Sequence, residues 1–90
     1  MKVSEDFVLR EIAGEHILVP IRGAAARFSG MIAMNEIGAF IFRALQQETT
    51  EQELLEKIRS EYEVDEQTAR TDLAEYLNQL REIGALEAHA

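Results

Sequence analysis

The sequence contains no cysteine, no tryptophan and one proline in its 90 residues. Without cysteine the chain cannot form a disulfide, a cysteine zinc site or a thiolate-ligated iron–sulfur cluster. No apolar run approaches the ~18 residues that a membrane span requires. The residues after Lys2 also lack the apolar core of a signal peptide. These absences favour a cytoplasmic protein with no membrane role.

Basic residues are scarce: the chain has nine Lys and Arg against 17 Asp and Glu, which gives a net charge of −8. Residues 1–34 contain four bases and four acids, so the whole excess of acid lies in residues 35–90. An acidic surface repels phosphate backbones at long range. We therefore expect no nucleic-acid partner, although the same charge also serves solubility.

Residues that would support catalysis or metal binding are few. The two histidines, His16 and His89, stand alone, and no His-x-x-x-His pair occurs. The acid-rich stretch 61–66 lacks the central glycine of a calcium loop. Gly23 and Gly30 do not have the spacing of a phosphate-binding loop. The sequence thus predicts a protein that is not an enzyme and has no metal or cofactor.

The first third of the chain has the composition of β-strands. Residues 7–12 and 16–21 are rich in β-formers and flank a turn at Ala13-Gly14-Glu15, which predicts a hairpin. Residues 22–26 are predicted to be a connecting loop. Residues 28–34 are predicted to form a third strand, with Gly30 as a weak point or bulge. A three-stranded antiparallel sheet is therefore expected.

The apolar period changes from strand to helix at Asn35. Helices are predicted at about 35–47, 50–62 and 65–83. Asn35, the capping box Thr50–Glu53 and Asp65 mark their starts, and Gly84 is expected to end the last one in a left-handed conformation. In the last helix, one face is predicted to be apolar, comprising Ala69, Leu73, Tyr76, Leu77, Leu80 and Ile83. The chain is thus a single α+β domain over residues 1–90.

The third predicted strand has little protection against pairing with another strand. It contains no charged residue and no proline over Phe28–Met34. An open edge of this kind can accept an incoming peptide strand through main-chain hydrogen bonds. The sequence leaves open whether this strand lies at an edge or is central and covered.

Several short motifs follow one another over nearly the whole chain. Residues 30–42 lead from a short strand into a helix, and residues 62–65 read Tyr-Glu-Val-Asp. The last helix and the ending contain Asp72-Leu73, Tyr76-Leu77, Leu80 and Ile83-Gly84-Ala85-Leu86. In order and spacing, these motifs resemble those of the PqqD-like family. Two departures, Ile37 for the usual Thr and Phe42 for a common Trp, conserve packing.

The resemblance implies a winged-helix-like fold, with three strands followed by three helices. It also implies that the protein is a recognition element, or peptide chaperone, for ribosomally synthesised and modified peptides. Such proteins bind the leader segment of a precursor peptide and present it to a separate modifying enzyme, often a radical-SAM protein. The leader adds as a strand beside the third strand and lies against the third helix.

Carried over by position, the resemblance implies two sets of peptide-binding residues. The pairing edge would comprise Arg27, Phe28, Ser29, Gly30, Met31, Ile32 and Ala33. The helix that forms the groove would supply Asp72, Leu73, Tyr76, Leu77 and Leu80. Leu73 and Leu80 lie near the middle of the apolar face, which favours core packing. Tyr76 and Leu77 flank it, which makes them the better candidates for contact, and Asp72 lies at its border. Gly38 is expected to permit close packing of helix on sheet.

Two other functions fit the predicted fold. A winged-helix protein would place its third helix in the DNA major groove. Residues 65–83, however, hold five acids and two bases, whereas DNA recognition requires an excess of bases. The other alternative is a scaffold domain whose open strand pairs with a second copy, so the chain is expected to be a monomer or a homodimer.

Overall fold

The β-hairpin at the start of the chain forms as predicted, with a tighter turn. A computed structural model describes residues 1–27 and 30–87. The first two strands are β1 (Phe7–Ile12) and β2 (Glu15–Pro20). Ala13 and Gly14 connect them, with φ of 53° and 81°. Two positive φ values match the type I′ turn, whose twist suits a two-residue hairpin.

The segment after the hairpin differs from the prediction. Residues 22–26, predicted as a loop, belong to a short helix, α1 (Arg22–Arg27), in which Ala24 is buried. The third strand, β3, is only Ile32–Met34, whereas residues 28–34 were expected to form it. Gly30, which precedes β3, has a φ of 106°, a conformation that glycine adopts without a Cβ clash. Phe28 and Ser29 lie outside the described residues.

Three longer helices follow: α2 (Glu36–Ala44), α3 (Glu51–Glu61) and α4 (Glu66–Glu82). Each predicted start is confirmed. The side chain of Asn35 accepts from the Gly38 N–H at 2.8 Å, and that of Asp65 accepts from the Thr68 N–H at 2.8 Å. Thr50 and Glu53 form the predicted capping box. Such caps satisfy backbone donors that have no partner within the helix.

The sheet and the helices bury one continuous core. Strand register places Phe7, Leu18 and Met34 on the face that the helices cover, and all three are buried. On the opposite face Ile12 remains 50% exposed. The helices supply the rest of the core, whose largest fully buried side chains are Phe42, Ile41, Leu45, Leu54, Ile58, Leu73, Leu77 and Leu80. A three-stranded antiparallel sheet with helices on one face makes the domain α+β, as predicted.

The two ends of the described chain lie side by side. Gly84, with a φ of 76°, ends α4 in the left-handed conformation that was predicted. The N–H of Ala85 then donates to the Leu80 carbonyl at 2.8 Å, completing a Schellman motif. Beyond it, Leu86 pairs with Val3 in an antiparallel bridge, and the Glu87 N–H donates to the Lys2 carbonyl at 2.8 Å.

Candidate functional site

Strand β3 lies at an edge of the sheet. The strand order is β1-β2-β3, with β3 antiparallel to β2 and Ile17 opposite Ala33. No other strand in the described part of the chain pairs with β3 on its far side. Edge strands have backbone N–H and C=O groups without partners in the sheet, and β3 has no charged side chain to discourage pairing. Of the two alternatives that the sequence left open, the structure therefore shows that β3 is an edge strand and not a central one.

An apolar cavity of about 300 Å³ separates β3 from α4. The strand side provides Ile32 and Met34, and the helix side provides Leu80 and Ile83. Among the described residues, the lining is Leu18, Ile32, Met34, Tyr76, Gln79, Leu80, Glu82 and Ile83. Ile32 and Ile83 are only partly buried, so apolar surface is available to a ligand. We refer to this cavity as the apolar compartment.

A second cavity, of about 290 Å³, continues from the first along the same helix. Its lining is Asn35, Ile37, Asp72, Glu75, Tyr76 and Gln79, and we refer to it as the carboxylate compartment. Tyr76 and Gln79 line both cavities. The two compartments therefore form one groove that follows α4 and is bounded on its other side by β3 and the start of α2.

Tyr76 stands where the two compartments meet, and α2 fixes its position. The Tyr76 hydroxyl donates to Asn35 Oδ1 at 3.2 Å, the same oxygen that caps α2. Its ring occupies the space where a Cβ of Gly38 would lie. Gly38 thus permits close packing of α2 against α4. The prediction that it permits close packing of helix on sheet is therefore corrected. Partial burial raises the pKa of Tyr76 above its usual value, while a hydrogen bond from the backbone of Asn35 opposes that rise.

Some of the residues predicted to bind a peptide line the groove. Ile32, Asp72, Tyr76 and Leu80 do so, although the Leu80 side chain is also almost wholly buried. Leu73 and Leu77 do not: they are 1% and 0% exposed and belong to the core. For Leu77 this corrects the expectation of groove contact.

The predicted pairing edge is shorter than expected. Arg27 lies in α1, and Gly30 and Met31 precede β3 without belonging to it. Met31 is 62% exposed. Ala33 lies within β3 and is exposed. Phe28 and Ser29 lie outside the described residues, so within the described chain the edge consists of Ile32–Met34.

Several groove residues were not predicted. On α4 these are Glu75, Gln79, Glu82 and Ile83, and elsewhere they are Leu18, Met34, Asn35 and Ile37. The helix members share a signal that was present in the sequence. Asp72, Glu75, Gln79 and Glu82 recur at helical spacing along one border of the apolar face, so they line one flank of α4.

Other chemistry is sparse in the described part of the chain. It contains no group of three His, Asp or Glu side chains that could hold a metal ion. No helix there is both long and apolar enough to cross a membrane. His16 lies in β2 opposite Met34 and does not line the groove, and its Nδ1 is buried with no hydrogen-bond partner among the described residues. His89 lies outside the described residues.

Comparison with known proteins places these features in context. The family model described as coenzyme PQQ synthesis protein D (PqqD) matches residues 15–86. A solved structure of TbiB1 in complex with the TbiA(beta) leader peptide is 27% identical, with a TM-score of 0.77; the match covers 100% of this chain and 99% of that one. A lasso peptide synthetase B1 complexed with its leader peptide is 20% identical over 93% of each chain, with a TM-score of 0.72, and supports the fold. No curated protein matches the chain.

Proposed function

Since the chain belongs to the PqqD family, we propose that it binds the leader segment of a ribosomally synthesised precursor peptide and presents that peptide to a separate modifying enzyme. It acts by binding and not by catalysis. The solved structure of TbiB1, which shares the fold over the whole chain, contains a leader peptide. A radical-SAM protein is the class of modifying enzyme that we propose, and the cytoplasm, where the precursor is made, is the compartment.

The observation that supports the proposal most is the position of β3 beside the groove. A leader that added to the free edge of β3 would form main-chain hydrogen bonds there and direct alternate side chains toward α4. Ile32, Ile83 and Tyr76 would then contact those side chains, because all three line the groove and are partly exposed.

Calorimetric titration with the leader of a precursor peptide encoded beside this gene tests the proposal. We expect saturable one-to-one binding and no signal with duplex DNA. A Tyr76→Ala variant should bind the leader more weakly, since Tyr76 lines both compartments. If Tyr76 had a purely structural role, the variant would show a lower melting temperature and an unchanged affinity.

Two outcomes would contradict the proposal. Binding of duplex DNA in place of the leader would indicate a winged-helix DNA-binding protein, against the excess of acid on α4. Absence of leader binding, together with a mass in light scattering that rises with concentration, would indicate a scaffold domain in which β3 pairs with a second copy.

A further inference from the structure

We propose that the groove selects a leader segment in which one apolar and one basic side chain stand two positions apart. The inference rests on the proposed function and specifies the peptide that it concerns. It follows from three features of the groove: the distance between its compartments, the charge of one of them, and the order of residues along its two walls.

The distance between the compartments suits alternate residues of a strand. Along α4 the carboxylate compartment is centred near Glu75 and the apolar compartment near Gln79 and Leu80. Four to five helical residues correspond to about 6–7.5 Å along the axis. In an extended strand, side chains on one face recur every second residue, about 6.6 Å apart. One bound strand can therefore place a side chain in each compartment.

The charge of the carboxylate compartment favours a cation. Neither Asp72 nor Glu75 has an ion-pair partner among the described residues, whereas Glu66, at the start of α4, pairs with Arg59 and Arg70 at 3.2 Å each. Asp72 and Glu75 are also three residues apart on one helix, where like charges repel. A Lys or Arg side chain between them would relieve that repulsion.

The start of α2 does not reverse this preference. Its N-terminus faces the same compartment through Asn35 and Ile37, and a helix N-terminus acts as roughly half a positive charge. Two full carboxylates exceed that charge, and the Gly38 N–H at that N-terminus is already bonded to Asn35 Oδ1. Within the described chain, no Lys or Arg lines the compartment. An acidic peptide side chain would therefore be disfavoured there.

The sequence order of the residues along the two walls relates the direction of a bound peptide to the order of its two side chains. On one wall, Ile32 and Met34 of the apolar compartment precede Asn35 and Ile37 of the carboxylate compartment. On the other wall, α4 runs the opposite way, from Asp72 to Ile83. A peptide antiparallel to β3 would thus have the order basic-x-apolar, and a parallel one would have apolar-x-basic.

Fluorescence anisotropy with labelled 12-residue Thr/Ser peptides tests the inference. The probes contain Lys-Thr-Leu, Leu-Thr-Lys, Glu-Thr-Leu, Leu-Thr-Glu or, as a spacing control, Lys-Thr-Thr-Leu. We expect one of the two Lys peptides with the two-residue spacing to bind tightest. Its advantage over the Glu peptide of the same order should be up to about fivefold, and it should decrease as salt is raised.

A charge-reversed protein makes the test specific. The double variant Asp72→Lys/Glu75→Lys should prefer the Glu peptide. The double variant Glu56→Lys/Glu61→Lys, which changes the net charge equally on the exposed side of α3, should keep the wild-type preference. All four positions are exposed, and circular dichroism would verify that both variants fold.

Measuring the binding of the precursor leader in the same assay distinguishes failure of this inference from failure of the proposed function. If the leader binds and the Asp72→Lys/Glu75→Lys variant retains the wild-type preference among the probes, the inference is overturned and the proposed function stands. If neither the leader nor any probe binds, the proposed function fails and the inference fails with it.

Discussion

The two edges of the sheet have similar surroundings but different chemistry. Each edge is flanked by a helix with a cavity of about 300 Å³ between them. At the β1 edge, the cavity is lined by Val8, Leu9, Arg10, Glu11, Phe42, Arg43 and Gln46, so charges of both signs surround it. At the β3 edge, the strand residues Ile32–Met34 are uncharged and the adjoining cavity is mainly apolar.

The difference shows that an open edge is not by itself a binding site. Charged residues on an edge strand hinder the approach of another strand, because pairing would remove them from water. β1 contains Arg10 and Glu11, and β3 has no equivalent. The side walls also differ, since α4 offers apolar side chains next to β3 whereas α2 offers Arg43 and Gln46 next to β1. We therefore expect the peptide to bind at β3 and not at β1.

The largest effect is expected from truncating the core under the β3 groove. Leu77 is wholly buried in α4, the helix that forms the groove wall. Leu77→Ala should lower the free energy of unfolding by about 2–5 kcal/mol, since it leaves a cavity in the core. Urea denaturation would measure the change. A cost below about 1 kcal/mol would mean that Leu77 is not a core residue.

Proline substitutions in β3 test whether its free edge binds the leader. Neighbouring strand residues direct their N–H groups to opposite sides, so Ile32→Pro and Ala33→Pro remove one donor from the free edge and one from the ladder with β2. One variant should bind the leader up to about tenfold more weakly while keeping its circular dichroism. The other should mainly lose thermal stability.

Glu11→Pro in β1 is the matched control for the free-edge variant. The two-residue turn makes Ile12 and Glu15 a hydrogen-bonded pair, so alternation along the strand directs the Glu11 N–H away from β2. Its leader affinity should stay within about twofold of wild type, measured on protein that circular dichroism shows to be folded. If Glu11→Pro weakened binding as much as the free-edge β3 variant, the assignment of the peptide to the β3 edge alone would be contradicted.

Charging β3 should make it resemble β1. Ala33 is exposed, so Ala33→Lys should change the free energy of unfolding by less than about 0.5 kcal/mol. It should nevertheless reduce leader affinity severalfold, because a Lys at the free edge hinders strand addition. Ala25→Lys, at an exposed position of α1, provides the control in the same titration. Equal affinities for both variants would argue against an edge contact at Ala33.

The smallest effect is expected at Tyr76, which lies where the two compartments of the groove meet. Tyr76→Phe removes the hydrogen bond to Asn35 and should lower the melting temperature slightly at neutral pH. Because folding raises the pKa of Tyr76, wild type should lose stability as pH rises above about 10, where the unfolded chain ionises first. Thermal melts between pH 8 and 11 should show a smaller loss for the variant. An identical pH dependence would contradict the assigned environment of Tyr76.

The helix starts could be predicted because their determinants are local. Asn35, Thr50 and Asp65 each accept a hydrogen bond from a backbone N–H three residues ahead, so a short stretch of sequence contains the whole interaction. The hairpin is local for the same reason. The open edge of β3 was also suggested by its uncharged sequence, although the strand order was needed to establish it.

The short elements and the groove wall could not be predicted in the same way. Helix α1 has six residues, which is too few for an apolar period to appear, and residues 28–34 have strand composition throughout. On α4, Tyr76 and Leu77 are adjacent and both flank the apolar face, yet one is partly exposed and the other wholly buried. Packing against α2, which depends on Gly38, decides between them.

The bridge between Val3 and Leu86 has a consequence for how the domain can be joined to other proteins. Because the two ends of the described chain leave from neighbouring points, the domain can be placed within a surface loop of a host protein without forcing the two sides of that loop apart. Insertion of this type, like fusion at a single end, would raise the effective concentration of a bound peptide near a host catalytic centre. The architecture therefore suits genetic fusion between recognition and modification as well as separate expression of the two.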